Sequence, residues 1–362
     1  MKRVIKWLIT GVAGLILIVA IAALIGLGYR EWRHRAIEPQ YEIATPNGID
    51  EALFVDLNGT PQWVTIRGHD RSNPVVLMLH GGGGSSMSSF TGTFLDWERD
   101  FVLVQWDQPG AGRTYRAAGR EIDPDLTIEQ MTDDGNRLAE WLIEYLDADS
   151  INLLGWSWGS VLGVYMAKAR PDLYSAYIGT GQVLDMVRGE EVAYANVLAK
   201  AEQRGDAQAI EDLTRIGAPP YDAADEIAAH RSWAIQYELG QSALGTLMLP
   251  VLFEPRVTLS DILDSRTARD AWGNHFFGDT LRGPLVDLDL TMLGARFDVP
   301  MFVIQGAQDD FTPASLAREF VDFVDAPAKD FFAIDGAGHF AIISKNEQFL
   351  QIVRNALTSA QH

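Results

Sequence analysis

The chain contains no cysteine, and that absence removes disulfide frameworks, thiolate metal sites and a cysteine nucleophile together. It is also short of positive charge, with 29 Lys and Arg against 49 Asp and Glu and a formal net charge of −20. The basic residues are unevenly spread: Lys2, Arg3, Lys6, Arg30, Arg33 and Arg35 face only Glu31 at the N-terminal end. The remainder is therefore more acidic than the whole, a surface that repels phosphate backbones and argues against nucleic acid as a partner. The Gly-Lys-Ser/Thr ending of a phosphate loop is missing. So is the His-x-x-x-His or His-x-His pairing of common zinc sites, and neither a metal nor another cofactor is expected. Internal repeats and low-complexity tracts are absent too. With 362 residues the chain is long enough for one large core carrying an insertion.

What the chain does have, first, is a long apolar run from Trp7 to Gly28, broken only by Thr10 and glycines. As a helix it can cross a bilayer core of ~30 Å. Lys2, Arg3 and Lys6 before it, with Ala20-Ile21-Ala22 inside it, also fit a cleaved signal peptide. The run continues past that tripeptide and ends in Tyr29, Arg30, Trp32 and Arg33, residues suited to a membrane interface, so an uncleaved anchor is expected. Both flanks are basic. The expected arrangement places the catalytic part outside the cytoplasm.

Beyond a short linker, Glu38 to Thr45, the segments Leu53 to Leu57 and Gln62 to Arg67 flank Asn58-Gly59, a hairpin signature. Val75 to Leu79 and Phe101 to Trp106 are short, rich in valine and leucine, and followed by Gly, Asp and Pro clusters, as suits strands buried on both faces of a parallel sheet. A helical pattern follows from Leu126 to Leu146 with Thr127 as its cap, then a strand at Ile151 to Leu154, a helix from Trp158 to Ala169 and a strand at Ala176 to Thr180. The alternation breaks over residues 185–291, an Ala- and Glu-rich region with helical stretches such as Glu190 to Arg204 and Ala223 to Leu239 and no buried-strand pattern, and returns with Met301 to Gln305 and Phe331 to Ile334. Such an interrupted series predicts an α/β fold, a mostly parallel, doubly wound sheet with a helical insertion. The expected organisation is an anchor at 1–35, a first part of the core at 36–184, a helical cap at 185–291 and a second part of the core at 292–362.

The chemistry starts at Gly155-Trp156-Ser157-Trp158-Gly159, directly after the Ile151 to Leu154 run. A serine between two glycines on a strand-to-helix turn is the pattern that projects a hydroxyl from the top of a sheet. A serine hydroxyl is a weak nucleophile at neutral pH, so it needs a base and a third group that orients the base. Among the histidines, His339 follows a late strand inside the small-residue loop Asp335 to Phe340. Asp309 follows the preceding strand in Gln305 to Pro313, and the order Ser157, Asp309, His339 suits this kind of fold. Asp310 is the rival acid, expected on the turn as a solvated or capping carboxylate. The oxyanion formed on attack needs two backbone donors. Trp158 supplies one, and the loop His80-Gly81-Gly82-Gly83-Gly84 offers exposed amides for the other.

These residues resemble the α/β-hydrolase superfamily and, within it, the proline iminopeptidase-like serine peptidases. The resemblance rests on His80 to Gly84, on Asp107-Gln108-Pro109-Gly110-Ala111-Gly112-Arg113 and on Gly155 to Ser160, and it covers Ala52 to Gln182 and Val299 to Ala360. It implies an acyl-enzyme mechanism with Gly82 and Trp158 as the oxyanion amides, and an aminopeptidase releasing a small N-terminal residue such as proline. It also implies acidic residues in the insertion that hold the substrate's free amine, for which Glu190 and Glu191 are candidates by position and Glu238 is a further one. The chain departs from the family pattern where Gly83 replaces a proline, Pro109 an arginine and Trp156 a glycine. The alternatives are an esterase, lactonase or amidase for small apolar acyl substrates, and a non-catalytic binding domain tethered to a membrane. Trp233, Trp272 and Phe276 are expected in the core of the cap, with a substrate pocket as the other reading.

Overall fold

The computed structural model describes residues 2–278 and 281–360. Eight strands form a single sheet: β1 (Ile49–Leu57), β2 (Thr60–Gly68), β3 (Val75–Leu79), β4 (Val102–Trp106), β5 (Ile151–Trp156), β6 (Tyr174–Thr180), β7 (Met301–Gly306) and β8 (Lys329–Ile334). Their spatial order is β1-β2-β4-β3-β5-β6-β7-β8. The β1–β2 and β2–β4 pairs are antiparallel, and every pair from β4 to β8 is parallel. Asn58 (φ 55°) and Gly59 (φ 84°) turn β1 into β2, the positive φ pair that a two-residue hairpin needs.

All residues of β3, β4, β5 and β7 are buried, as expected of strands covered by helices on both faces. Side chains alternate between two cores. Leu77, Val104, Leu153 and Val303 pack under the helices Ile128–Leu146 and Trp158–Ala169. Val76, Met78, Leu154 and Ile304 pack on the other side, against Phe349 and Val353 of the helix Asn346–Ser359. Thr127 caps the first of these helices in a reciprocal box: its Oγ1 accepts from the Gln130 amide at 3.2 Å while its own amide donates to Gln130 Oε1 at 2.8 Å. A cap of this kind stabilises by about 1 kcal/mol.

Between β6 and β7 the chain leaves the sheet and forms a block of helices that includes Met186–Arg204, Ala207–Ile216, Ala224–Leu239 and Leu259–Phe276. The block has a small core of its own around Tyr194, Val197, Leu213 and Ala234. Its two ends run side by side: Met186 donates its amide to the Leu288 carbonyl at 2.9 Å, and Leu290 to that of Leu184 at 2.8 Å. Charged clamps tie the Leu259–Phe276 helix to the segment after β4, with Arg116 on Asp261 and Asp264 at 2.7 Å each and Arg120 on Asp264 at 2.8 Å.

At the other end lies a helix, Lys2–Ile37. It is long and apolar enough to cross a membrane, with a mean hydropathy of 2.6 over its most apolar window and none of that window buried, a test that a signal sequence passes as well. The segment expected as a plain linker contains a short 3-10 turn, Glu38–Tyr41. Tyr41 is buried there and donates its hydroxyl to Glu254 of the helical block at 2.9 Å.

Candidate active site

Ser157 sits between β5 and the Trp158–Ala169 helix at φ 56°, ψ −118°, a conformation that costs a side-chain-bearing residue on the order of 1–3 kcal/mol. The flanking glycines make the turn sterically feasible. A Cβ on Gly155 would strike the carbonyl of Gly159, and one on Gly159 would strike the carbonyl of Leu79 in the neighbouring strand β3. The turn is held by the Ser157 amide on the Thr180 carbonyl at 2.8 Å.

The loops after β7 and β8 bring Asp309 and His339 together. Asp309 Oδ2 accepts from His339 Nδ1 at 3.0 Å, and both side chains are buried. The carboxylate is saturated by further donors: Gln305 Nε2 and the Phe311 amide at 2.8 Å, and the Thr312 amide and hydroxyl at 2.9 Å. An acceptor at Nδ1 fixes the tautomer that carries its proton there and leaves Nε2 as the basic nitrogen. The imidazole is also stacked on Phe311, with 4.7 Å between ring centroids.

Two further contacts hold the His339 backbone. Trp156 Nε1 donates to the His339 carbonyl at 3.0 Å, so the tryptophan that departs from the family pattern ties the serine turn to the histidine loop. Glu238, near the end of the Ala224–Leu239 helix, accepts from the amides of His339 and Phe340 at 2.9 Å each. Burial pushes the Glu238 carboxyl up, opposed by the Phe340 amide and the nearby His339 ring. The family resemblance makes Glu238 a candidate for holding a substrate amine. Its carboxylate meets the histidine loop instead.

On the other side of Ser157 lies the glycine loop, where Gly82 has φ 53°. Trp272 of the Leu259–Phe276 helix lies against Gly83 so closely that an added Cβ would fall within its indole. A proline ring has no room at that position, which accounts for Gly83 where the family pattern has a proline. His80 is buried and lowered to about 4, chiefly by loss of hydration, so it is neutral and structural, accepting the Gln108 amide at 3.3 Å. Asp107 is fully buried and burial raises it to about 6, against the pull of Ser86 and the Arg113 amide.

A cavity of about 110 Å³ lies between the carboxyl ends of these strands and the helical block. Gly82, Ser157 and Trp158 line its floor; Val183, Leu184, Met186, Trp272 and Phe277 make an apolar wall; Asp185, Glu190 and Arg231 are its charged groups. Glu190 is paired with Arg231 and lies 3.6 Å from His230. Burial alone would raise its carboxyl, but Arg231 and His230 together hold it at about 2. Glu191, by contrast, is exposed to solvent and is not part of the cavity wall. Phe276 is buried in the core, Trp233 packs at the margin of the block's own core, and Trp272 does both jobs, being buried and facing the cavity. Asp310 is not the solvated carboxylate expected from its neighbours. It is buried, raised by that burial, and paired with Lys200 of the Met186–Arg204 helix, away from His339.

A strand order with two antiparallel edge pairs, a strained serine turn after β5 and an Asp–His pair after β7 and β8 define a class of proteins, and the family comparison agrees: the α/β-hydrolase fold family matches residues 74–346, and the chain belongs to it. Among curated proteins it is 27% identical over 297 residues to the probable aminopeptidase YbaC of Bacillus subtilis, covering 82% of this chain and 92% of that one. It is 27% identical over 323 residues to the proline iminopeptidase of Lactiplantibacillus plantarum, covering 83% and 98%. Among solved structures the crystal structure of VinJ superposes with a TM-score of 0.62 at 18% identity over 87% of this chain and all of that one, a likeness of fold.

Proposed function

We propose that this hydrolase is a membrane-anchored serine aminopeptidase that releases a small N-terminal residue such as proline through an acyl-enzyme. Ser157 attacks the carbonyl, and His339 Nε2 takes its proton and returns it to the leaving amine. Asp309 holds the imidazole in the required tautomer and stabilises the imidazolium that forms. The Gly82 and Trp158 amides receive the oxyanion, each worth roughly 3 kcal/mol if lost. Water then resolves the acyl-enzyme. The Lys2–Ile37 helix is the anchor, helices 185–291 act as the cap, and the catalytic part lies on the extracytoplasmic side.

The observation that carries the reading is the 3.0 Å contact between His339 Nδ1 and a fully saturated Asp309, in loops adjacent to the strained Ser157 turn. For the amine, the support is a cavity whose carboxylates, Asp185 and Glu190, outnumber its one cation, Arg231, together with the names of the relatives. One observation favours a second reading, an esterase or amidase for small apolar acyl groups: Glu190 is already engaged by Arg231 and His230, and most of the remaining wall is apolar. Hydrolysis of prolyl and alanyl arylamides, their N-acetylated analogues and short acyl esters separates the two. Turnover confined to the free amines supports the aminopeptidase; turnover that survives acetylation moves the assignment to the second reading.

A further inference from the structure

From Gly240 to Phe253 the chain carries no charged residue, in a protein of which 22% is Asp, Glu, Lys or Arg. This segment, helical over Leu244–Met248 and Leu249–Phe253, belongs to the block over the active site and is not folded inward. Leu244 is 55% exposed and Met248 65%, and Leu252, four residues further on, is exposed beside them, so one stripe of the segment is bare and apolar. Leu259 and Leu263, again four apart, are exposed on the next helix. A soluble surface seldom leaves a continuous patch of this kind uncovered.

Its position says what covers it. The segment packs on the Lys2–Ile37 helix just where that helix's apolar run ends. Arg30 Nε donates to the Leu252 carbonyl at 2.9 Å and Arg30 Nη2 to that of Val257 at 2.5 Å. Tyr29 meets Phe253 edge-on with 5.6 Å between centroids, and the Arg33 guanidinium lies 5.6 Å from the centre of the same ring. Tyr29 and Trp32 are both exposed, at the level where aromatic side chains sit in headgroups when such a helix spans a bilayer. The bare stripe is thus continuous with the bare surface of the helix. At ten residues it is far too short to span, and a short uncharged segment at that level lies in the interface plane.

We propose that the Leu244–Phe253 segment is a second membrane contact, lying in the lipid interface beside the anchor and fixing the helical block against the bilayer surface. The proposal rests on the anchor reading of the Lys2–Ile37 helix. Because the segment itself carries no charged residue, the contact is apolar and does not depend on anionic headgroups.

The absence of cysteine makes the test clean, since a single introduced thiol is the only one to label. Full-length Met248→Cys, Ile16→Cys and Met292→Cys proteins, each carrying an environment-sensitive fluorophore, are reconstituted into phosphatidylcholine vesicles. Each is quenched in parallel by iodide in the water and by lipids bearing a nitroxide near the headgroup or deep in the chain. The label at 248 is expected to be quenched several-fold more by the shallow nitroxide than the label at 292, and to be shielded from iodide. The label at 16 should respond to the deep nitroxide, and the one at 292, on an exposed position after the block, to iodide alone. A label at 248 that behaves like the one at 292 while 16 is in lipid overturns this proposal and leaves the anchor intact. Iodide access at 16 sinks the anchor reading and this proposal with it. Shielding of 248 from both quenchers means that protein covers the stripe, which also overturns the lipid assignment.

Discussion

At the carboxyl ends of the central strands the groups around Ser157 are fixed by backbone lying on backbone, Gly159 on the Leu79 carbonyl and Gly155 on Gly159, with no side chain between them. The helical block above is held by side chains: Arg116 and Arg120 on Asp264, Lys200 on Asp310, Trp272 over Gly83, Glu238 on the His339 loop. The first kind of contact has no slack, because neither partner can rotate away. The second consists of rotatable groups, and the more exposed ion pairs among them contribute roughly 0–1 kcal/mol each and weaken with salt. The proposed chemistry thus falls on the rigid strand ends, and the proposed selection of substrate on the adaptable block.

The largest expected effect tests the rigid side. Ser157→Ala should lower kcat/KM by ~10⁴-fold or more and abolish labelling by a fluorophosphonate, with the thermal midpoint little changed. A Ser157→Ala protein as reactive as the wild type would remove the strand ends from the chemistry altogether.

Next comes a matched pair of glycine substitutions. Gly159→Ala drives a Cβ into backbone and should cost about 3 kcal/mol or more, seen as a collapse in the yield of folded protein. Gly83→Ala drives one into a side chain, and its smaller loss of activity should be partly rescued by Trp272→Ala in the double variant. Equal, unrescued losses at both positions would erase the distinction between the two regions.

A smaller effect is expected where the block touches the proposed base, His339. Glu238→Gln keeps one acceptor of the two that hold the His339 and Phe340 amides, and it removes a carboxylate close to the imidazole. The expected result is a fall in kcat of about tenfold with KM nearly constant, and a displaced acidic limb of the pH–rate profile. A change in thermal midpoint alone, with the profile unmoved, would make Glu238 a purely structural brace.

The smallest effect concerns Glu190, whose folded carboxyl sits at about 2 against an ordinary 4.5. A depressed carboxyl contributes stability that is fully present above its unfolded value and is lost as pH falls toward the folded one. At pH 7 Glu190→Gln should therefore be less stable by on the order of 1–3 kcal/mol, and the gap from wild type should close as pH falls from 4.5 toward 2. Thermal unfolding of both proteins across that range is the measurement, and a constant gap would contradict the ion-pair account.

The strands and the hairpin were legible because their signals are local. Val75 to Leu79 and Met301 to Gln305 are continuous apolar runs, and Asn58-Gly59 states its turn in two residues. The placement of the candidates Ser157, Asp309 and His339 at strand ends was legible because each follows such a run at its carboxyl end. The block was less so. Glu238 lies 101 residues from the loop it braces, Lys200 is 110 from Asp310, and nothing in either neighbourhood singles out the partner. On a chain this acidic most glutamates are solvated, so a structural carboxylate looks like its neighbours until the fold is known. The tie from Trp156 to the His339 carbonyl was hidden for the same reason, a large side chain where the family pattern leads one to look for a glycine.

The helical block joins the sheet at a narrow neck, where Met186 pairs with Leu288 and Leu290 with Leu184. In engineering terms this is a cassette site: the two ends are already adjacent, so replacing what lies between them imposes little loop-closure cost on the strands outside. A different set of helices grafted between Leu184 and Leu290 is expected to leave the strand order and the serine turn in place, and to bring its own wall, its own charges and its own choice of substrate to an unchanged nucleophile.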